Sequence, residues 1–317
     1  MGPAFEKTGS LLSVSAHAGR VVAGGTEIRR QRAGDQGWQR RGMPPEVGVA
    51  WKVAQEPAAP WRQAMSHEEG VTIFLGKEGG GRIAHVRPAR RDVYVTNLAW
   101  GRLGKRWVLY VLWDDGEVVT LDPDAATTEV LGPLPPMAAL AGDGAGSIAM
   151  LAWEQTRVYV CDGSPQIVYR PIEFDRGWYE ALPATIEAPM HLAVAGKAVA
   201  LSVGWEGAFL TRDVVNTPFS KCEPLSLAGA LVFGGASADA PLFGAVHNEA
   251  LSSIVRVDAT GQAMRVGDLL PEKGPALPFD EIAWDASRRS VFAVHRQGGL
   301  VVARAPDAKG ARLAAPN

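Results

Sequence analysis

Short runs in which every second residue is apolar, separated by glycine and small polar residues, fill nearly all of this 317-residue chain. Trp107 to Trp113, the turn Asp114-Asp115-Gly116 and Glu117 to Asp122 predict strand, hairpin, strand. The order recurs. Ser290 to His295, Gln297-Gly298-Gly299 and Leu300 to Arg304 repeat it, as do Ala198 to Val203, Trp205-Glu206-Gly207 and Ala208 to Thr211. Near the start, Arg20 to Ala23, Gly24-Gly25 and Thr26 to Arg29 follow the same plan. Thr128 to Leu131 and Ala263 to Val266 predict poorer outer strands. Helical spacing fails throughout, and 36 Gly and 22 Pro between short runs fit tight turns better than helix caps.

A phrase marks the repeat: Leu98-Ala99-Trp100, Leu151-Ala152-Trp153 and Ile282-Ala283-Trp284. Looser copies run through Val14-Ser15-Ala16, Val49-Ala50-Trp51, Leu192-Ala193-Val194 and Leu231-Val232-Phe233. Recurrence at this spacing means a supersecondary unit that buries its apolar face only against its neighbours. The expected fold is all-β, a single β-propeller of seven blades rather than six, with four antiparallel strands per blade. The expected blade boundaries are 11–46, 47–92, 93–136, 137–188, 189–227, 228–279 and 280–317. Trp51, Trp100, Trp153 and Trp284 share one phase, which predicts burial between blades. For ring closure, either 5–10 or 311–314 is expected to add the outer strand of the last blade.

Composition changes this picture little. With 47% apolar and 21% charged residues the chain reads as an ordinary globular protein. The first residues lack the apolar core of a secretion signal and no run reaches a membrane span, so a cytoplasmic address is expected. Cys161 and Cys222 lack CxxC or histidine spacing and are expected to be reduced. Charge changes more. Residues 1–107 hold 17 Lys and Arg against 9 Asp and Glu, which leaves 15 against 25 of the chain's 32 and 34 for the remainder. The basic side includes Arg29, Arg30, Arg40 and Arg41. Interleaved Glu27, Asp35 and Asp92 and the lack of a nucleic-acid motif favour solvated strand edges over a phosphate-binding surface.

The recurring inner-strand phrase, the Gly-containing hairpins and the alternating partner strands resemble β-propeller blades of the broad WD40-like and YVTN-like kind. The resemblance covers nearly the whole chain and implies a fold, not an activity. Trp113-Asp114 and Trp284-Asp285 are out of the WD40 position. More distantly, the chain resembles the propeller component of bacterial systems that combine a MoxR-type ATPase with a von Willebrand A domain.

Function is read from this scaffold and from missing chemistry. The six histidines show no HxxxH or HxH spacing, and there is no Gly-x-Ser-x-Gly elbow or Walker loop. The expectation is a non-catalytic scaffold that binds a protein partner, with no cofactor, no metal, no membrane and no nucleic acid. Trp61, Trp178 and Tyr179, in the two most irregular segments, are the expected anchors, with Trp113 and Trp205 at hairpins as further candidates. Arg29, Arg30, Arg40 and Arg41 would guide the partner electrostatically. An alternative enzyme reading, a lactonase-like metal-dependent hydrolase, places Asn97, His191, Asp280 and Glu281 at the mouth of the central channel. A further alternative is a nucleic-acid-associated propeller using the basic first blades.

Overall fold

The computed structural model describes residues 4–7, 11–32, 37–75, 81–90, 92–153, 157–161, 170–173, 190–203, 207–225, 228–247, 252–269, 279–295 and 299–304. The first strand, β1 (Ala4–Lys7), stands apart from those that follow it. In chain order, β2 (Leu11–His17), β3 (Arg20–Gly25), β4 (Ile28–Arg32) and β5 (Gln39–Arg41) form the first blade. β6 (Lys52–Gln55), β7 (Arg62–His67), β8 (Gly70–Leu75) and β9 (Arg82–Val86) form the second, and β10 (Val95–Leu103), β11 (Arg106–Trp113), β12 (Val118–Asp122) and β13 (Thr127–Val130) the third. β14 (Met137–Gly142), β15 (Ile148–Ala152), β16 (Arg157–Cys161) and β17 (Arg170–Glu173) make the fourth. β18 (Met190–Ala195), β19 (Ala198–Val203), β20 (Gly207–Thr211) and β21 (Ser220–Lys221) make the fifth, and β22 (Ala228–Phe233), β23 (Leu242–His247), β24 (Ser252–Val257) and β25 (Ala263–Leu269) the sixth. The last contains β26 (Phe279–Asp285), β27 (Ser290–His295) and β28 (Gly299–Arg304), and β1 is its outer strand.

Every pairing is antiparallel, so the fold is an all-β propeller. The inner strands touch in a closed cycle: β2, β6, β10, β14, β18, β22, β26 and back to β2. Alternation explains the packing between blades. On β11, Leu109, Val111 and Trp113 face the second blade beside Ala64, Ile73 and Val71, whereas Val108, Tyr110 and Leu112 face the fourth beside Ile148 and Met150. Successive side chains of a strand point to opposite faces, and here both faces are covered, so the middle strands read as continuous apolar runs. Gly101 allows a close approach between blades: a Cβ there would lie 2.3 Å from Ile148 of the next blade.

Two seams repeat one device. In the fourth blade Asp143 Oδ1 accepts the N–H groups of Ala145 (2.7 Å), Gly146 (2.8 Å) and Ser147 (2.9 Å), and its Oδ2 accepts Gly196 N–H (3.2 Å) of the fifth. In the last blade Asp285 Oδ1 accepts Ser287 N–H (3.0 Å) and Gly19 N–H (3.1 Å) of the first. Asp285 is the last residue of an inner strand and Asp143 the first residue after one, and each glycine lies in the corresponding turn of the following blade. Arg288 strengthens the second seam through Gln31 Oε1 (2.5 Å), Gly19 O (2.7 Å) and Gln31 O (2.9 Å). Arg212 spans the fifth and sixth blades similarly, donating to Ala240 O (2.6 Å), Ala238 O (2.9 Å) and Asp258 O (3.2 Å).

Two expectations change and a third is resolved between its alternatives. The tryptophan phrase lies on inner strands at Trp100 and Trp284, but Leu151-Ala152 end the second strand of their blade and Trp153 follows in the turn, 50% exposed. Inner and second strands are both buried on both faces, so a local phrase does not separate them. Trp113, a candidate anchor, is 2% exposed because β11 runs through it and its phase turns the indole toward the second blade. At the termini, residues 4–7 pair with 299–302 as the outer strand of the last blade, which settles the strand on the N-terminal side; residues 311–314 lie outside the described residues.

Candidate functional site

The topology gives the ring two unlike ends. Inner strands begin at one, here called upper, together with the turns joining second to third strands; the turns after the inner strands form the lower end. Lys52, Asn97, His191 and Glu281 line the channel near its upper mouth. Asn97 is spent on structure, because its Nδ2 donates to Leu140 O (2.7 Å) and its Oδ1 accepts Leu98 N–H (2.8 Å). Glu281 Oε2 accepts Val14 N–H (3.3 Å) and lies 3.7 Å from Lys52 Nζ. Burial, and then the charge of Lys52, push His191 down to about 4, so its imidazole is neutral at pH 7. Asp280 lies on β26, but its side chain is outside the described residues. Among the described residues no group of three His, Cys, Asp or Glu side chains comes together to hold a metal ion.

Beside the mouth runs an arc of apolar groups, half-buried at Trp51 and exposed at Tyr94, Pro136 and Trp153, that sequence reasoning missed. Trp51 and Tyr94 meet edge to face with centroids 5.6 Å apart. Tyr94 and Asp114 are tied twice, Tyr94 N–H to Asp114 Oδ1 (3.1 Å) and Asp114 N–H to Tyr94 O (2.9 Å). From that turn Gly116 O accepts Met137 N–H (2.9 Å), and Pro136 O accepts Trp153 N–H (2.9 Å). Trp51, Tyr94, Pro136 and Trp153 therefore trace one path over the second, third and fourth blades. Tyr94 is 45% and Trp153 50% exposed. Phase predicts burial for Trp51 and Trp153, whereas Trp51 is half-buried and Trp153 half exposed; Tyr94 and Pro136 sit in connections whose placement is not local.

The other candidates are dispersed. Trp61, 38% exposed, is in the connection after β6 and so belongs to the lower end. Beside it Arg62 donates to Asp124 Oδ1 (2.7 Å), joining the second and third blades. Trp178, Tyr179 and Trp205 lie outside the described residues. The arginines divide between the faces of the first blade. Arg29 and Arg40, cross-strand partners, both pair with the buried Glu27. Arg30 points the other way and donates to Gln63 Oε1 (2.6 Å) of the second blade. Burial, followed by the charges of Arg41 and Arg32, lowers its pKa to about 10. Part of the basic charge is thus spent inside the fold rather than offered to a partner.

A histidine chain crosses the second blade. Thr72 Oγ1 lies 2.9 Å from His67 Nε2 and 2.8 Å from His85 Nδ1, and the two rings stack at 5.7 Å. Burial first, then His85 for His67 and Arg82 for His85, hold both pKa values below the ordinary histidine value, against Glu69 and Glu46. Burial lowers His17 as well, against Asp285. The folded state therefore binds fewer protons than the unfolded chain from about pH 6.5 down to these depressed values. Stability is whole above that window and is expected to fall as pH drops through it. Urea midpoints at pH 7.5, 6 and 5 check this, and a midpoint that rises toward pH 5 refutes it. Thr72→Val, which strands two ring nitrogens, is expected to cost about 1–3 kcal/mol in the same titration.

No family model and no curated protein matches the chain. Solved structures do. A chain of the mitotic checkpoint complex superposes with TM-score 0.65 at 11% identity, over 96% of this chain and 93% of that one. The RRP9 WD40 repeats give 0.68 at 11% identity, over 96% and 99%. BBS1N, solved in complex with ARL6DN, gives 0.61 at 12% identity, over 97% of each. At such identities the likeness is one of fold: this chain has the architecture of a β-propeller.

Proposed function

We propose that this chain is a seven-bladed, non-catalytic scaffold that binds a protein partner on its upper end. The observation that carries the reading is the continuous arc Trp51, Tyr94, Pro136 and Trp153 beside a polar channel mouth. Large aromatic groups left in water on two adjacent blades, with the half-buried Trp51 beside them on a third, are what a partner's surface would cover, and aromatic anchors with a polar border supply most of the energy of such contacts. The exposed Asp114, and Asp115 paired with Arg90 at 2.7 Å, supply that border. Two of the similar folds come from structures described as complexes, which agrees with a binding role. The distant resemblance to MoxR-system propellers makes a MoxR-type ATPase or a von Willebrand A domain the first partners to test.

Capture from the native cell with wild type, Tyr94→Ala/Trp153→Ala and Trp61→Ala tests the reading. The double variant is expected to lose at least about 30-fold in partner affinity, the scale of a single hot-spot side chain, while melting like wild type. Trp61→Ala, on the lower end, is expected to bind normally. Loss confined to Trp61→Ala would move the interface to the other rim and overturn the assignment.

A further inference from the structure

Each blade ends in an outer strand, and an outer strand presents a row of unpaired N–H and C=O groups to which another chain can add. All but one of these edges are blunted. β5 carries Arg40 and Arg41, β1 ends in Lys7, β17 contains Pro171, which has no N–H to offer, and β21 is only two residues long. β9 and β25 are bulged, each with one extra residue, Ile83 and Val266, against the strand beside it.

β13, the outer strand of the third blade, has none of these devices. Thr127, Thr128, Glu129 and Val130 are all exposed, Val130 to 64%. Just past the strand Leu131 N–H donates to Val118 O (2.8 Å), and hydrogen-bonded pairs alternate along an antiparallel ladder. Glu129 with Thr120 and Thr127 with Asp122 are therefore the next pairs that bond inward. The Thr120 hydroxyl, donating to Glu129 O (3.3 Å), agrees with that phase. The N–H and C=O groups of Thr128 and Val130 thus point away from the sheet, and among the described residues no strand lies beyond them.

Glu129 selects what can occupy that edge. A second copy, paired antiparallel about a two-fold axis so that Thr128 meets Val130 in both halves, would set Glu129 directly against the same residue of the copy, and like charges placed opposite destabilise a strand pair. A basic residue at that place does the reverse. We propose that the β13 edge takes up an extended segment of a partner protein as a fifth, antiparallel strand of the third blade, with a lysine or arginine opposite Glu129 and β-branched residues opposite Thr128 and Val130. Main-chain bonds give strand addition its affinity, and side chains at alternate positions give it selectivity. β13 lies on the circumference of the ring, outside the aromatic arc, so this assignment stands independently of the rim reading.

Fluorescence anisotropy tests it, with the full chain titrated at low salt into a dye-labelled, capped peptide of threonine and valine that carries a central lysine between two valines. This peptide is expected to bind about fivefold tighter than its twin with a central glutamate, and Glu129→Lys is expected to reverse that order. Val130→Pro removes one outward N–H without touching the ladder, and is expected to weaken the lysine peptide by about fivefold while the chain melts like wild type. No binding of the lysine peptide, equal affinities for the twins in wild type, or an order that survives Glu129→Lys overturns the proposal. Sedimentation that shows wild type dimerising with concentration and Val130→Pro monomeric would give the edge to a second copy instead. None of these variants alters Trp51, Tyr94, Pro136 or Trp153, so the two readings fail separately.

Discussion

Arg288→Ala is expected to destabilise the protein by about 3–5 kcal/mol, the cost of stranding a buried carboxylate. Asp285 is fully buried, and Arg288 Nε lies 3.3 Å from its Oδ2. The same guanidinium reaches the first blade at Gln31 and Gly19 and lies over the Phe292 ring, 5.6 Å from its centroid. Removal takes away the counter-charge, three hydrogen bonds across the seam where the chain's two ends meet, and the cover over an aromatic ring. Arg212→Ala is the internal comparison. It loses three similar bonds to carbonyls, but no buried carboxylate is left beside it, so a smaller loss of about 1–3 kcal/mol is expected. Chemical denaturation of both variants checks the order, and equal losses would show that Asp285 is not the reason. Arg106→Ala, whose exposed side chain pairs with Asp122 at 2.6 Å, is expected to cost under about 1 kcal/mol.

Deleting residues 1–7 is the second large effect. Ala4 to Lys7 pair in register with Val302 to Gly299, so the strand that begins the chain completes the blade that ends it. Without it, β28 becomes an open edge, a template for pairing with another chain. At about 1 kcal/mol for each backbone hydrogen bond the deletion should cost roughly 2–4 kcal/mol, lowering Tm by several degrees for a protein of this size. The truncated chain should also self-associate with rising concentration. Sedimentation and melting of the truncated chain test both, and an unchanged melt in a monomeric sample would mean that β1 does not close the ring.

Much of the strand content was open to reading along the chain. The hairpin from Trp107 to Asp122 is found as β11 and β12 with Gly116 in its turn, and the strand pairs expected near 20–29, 198–211 and 290–304 are found as β3 and β4, β19 and β20, and β27 and β28, although Gly24 and Gly25 end β3 and the turn that follows is Thr26-Glu27. Strand period and turn chemistry are local properties, decided by the residue and its near neighbours. The register of Asn97, His191 and Glu281 at the channel was also legible, because residues at the start of inner strands converge in any ring of this kind. Lys52, the first residue of β6, belongs with them by the same rule.

What the sequence determined alone was therefore the all-β character, the recurrence of one small antiparallel unit and the faces of each strand that become apolar. Tertiary structure decided the rest: which apolar strand stands innermost, so that Trp100 is buried at 4% exposure and Trp153 is half in water; which connections reach the upper end, so that Tyr94 and Pro136 meet Trp51 and Trp153; and which seam carries the buried Asp285. The physical reason is that alternation reports whether a face is covered but not what covers it. Covering comes from blades distant along the chain, and their order around the ring is fixed only when the first strand pairs with the last.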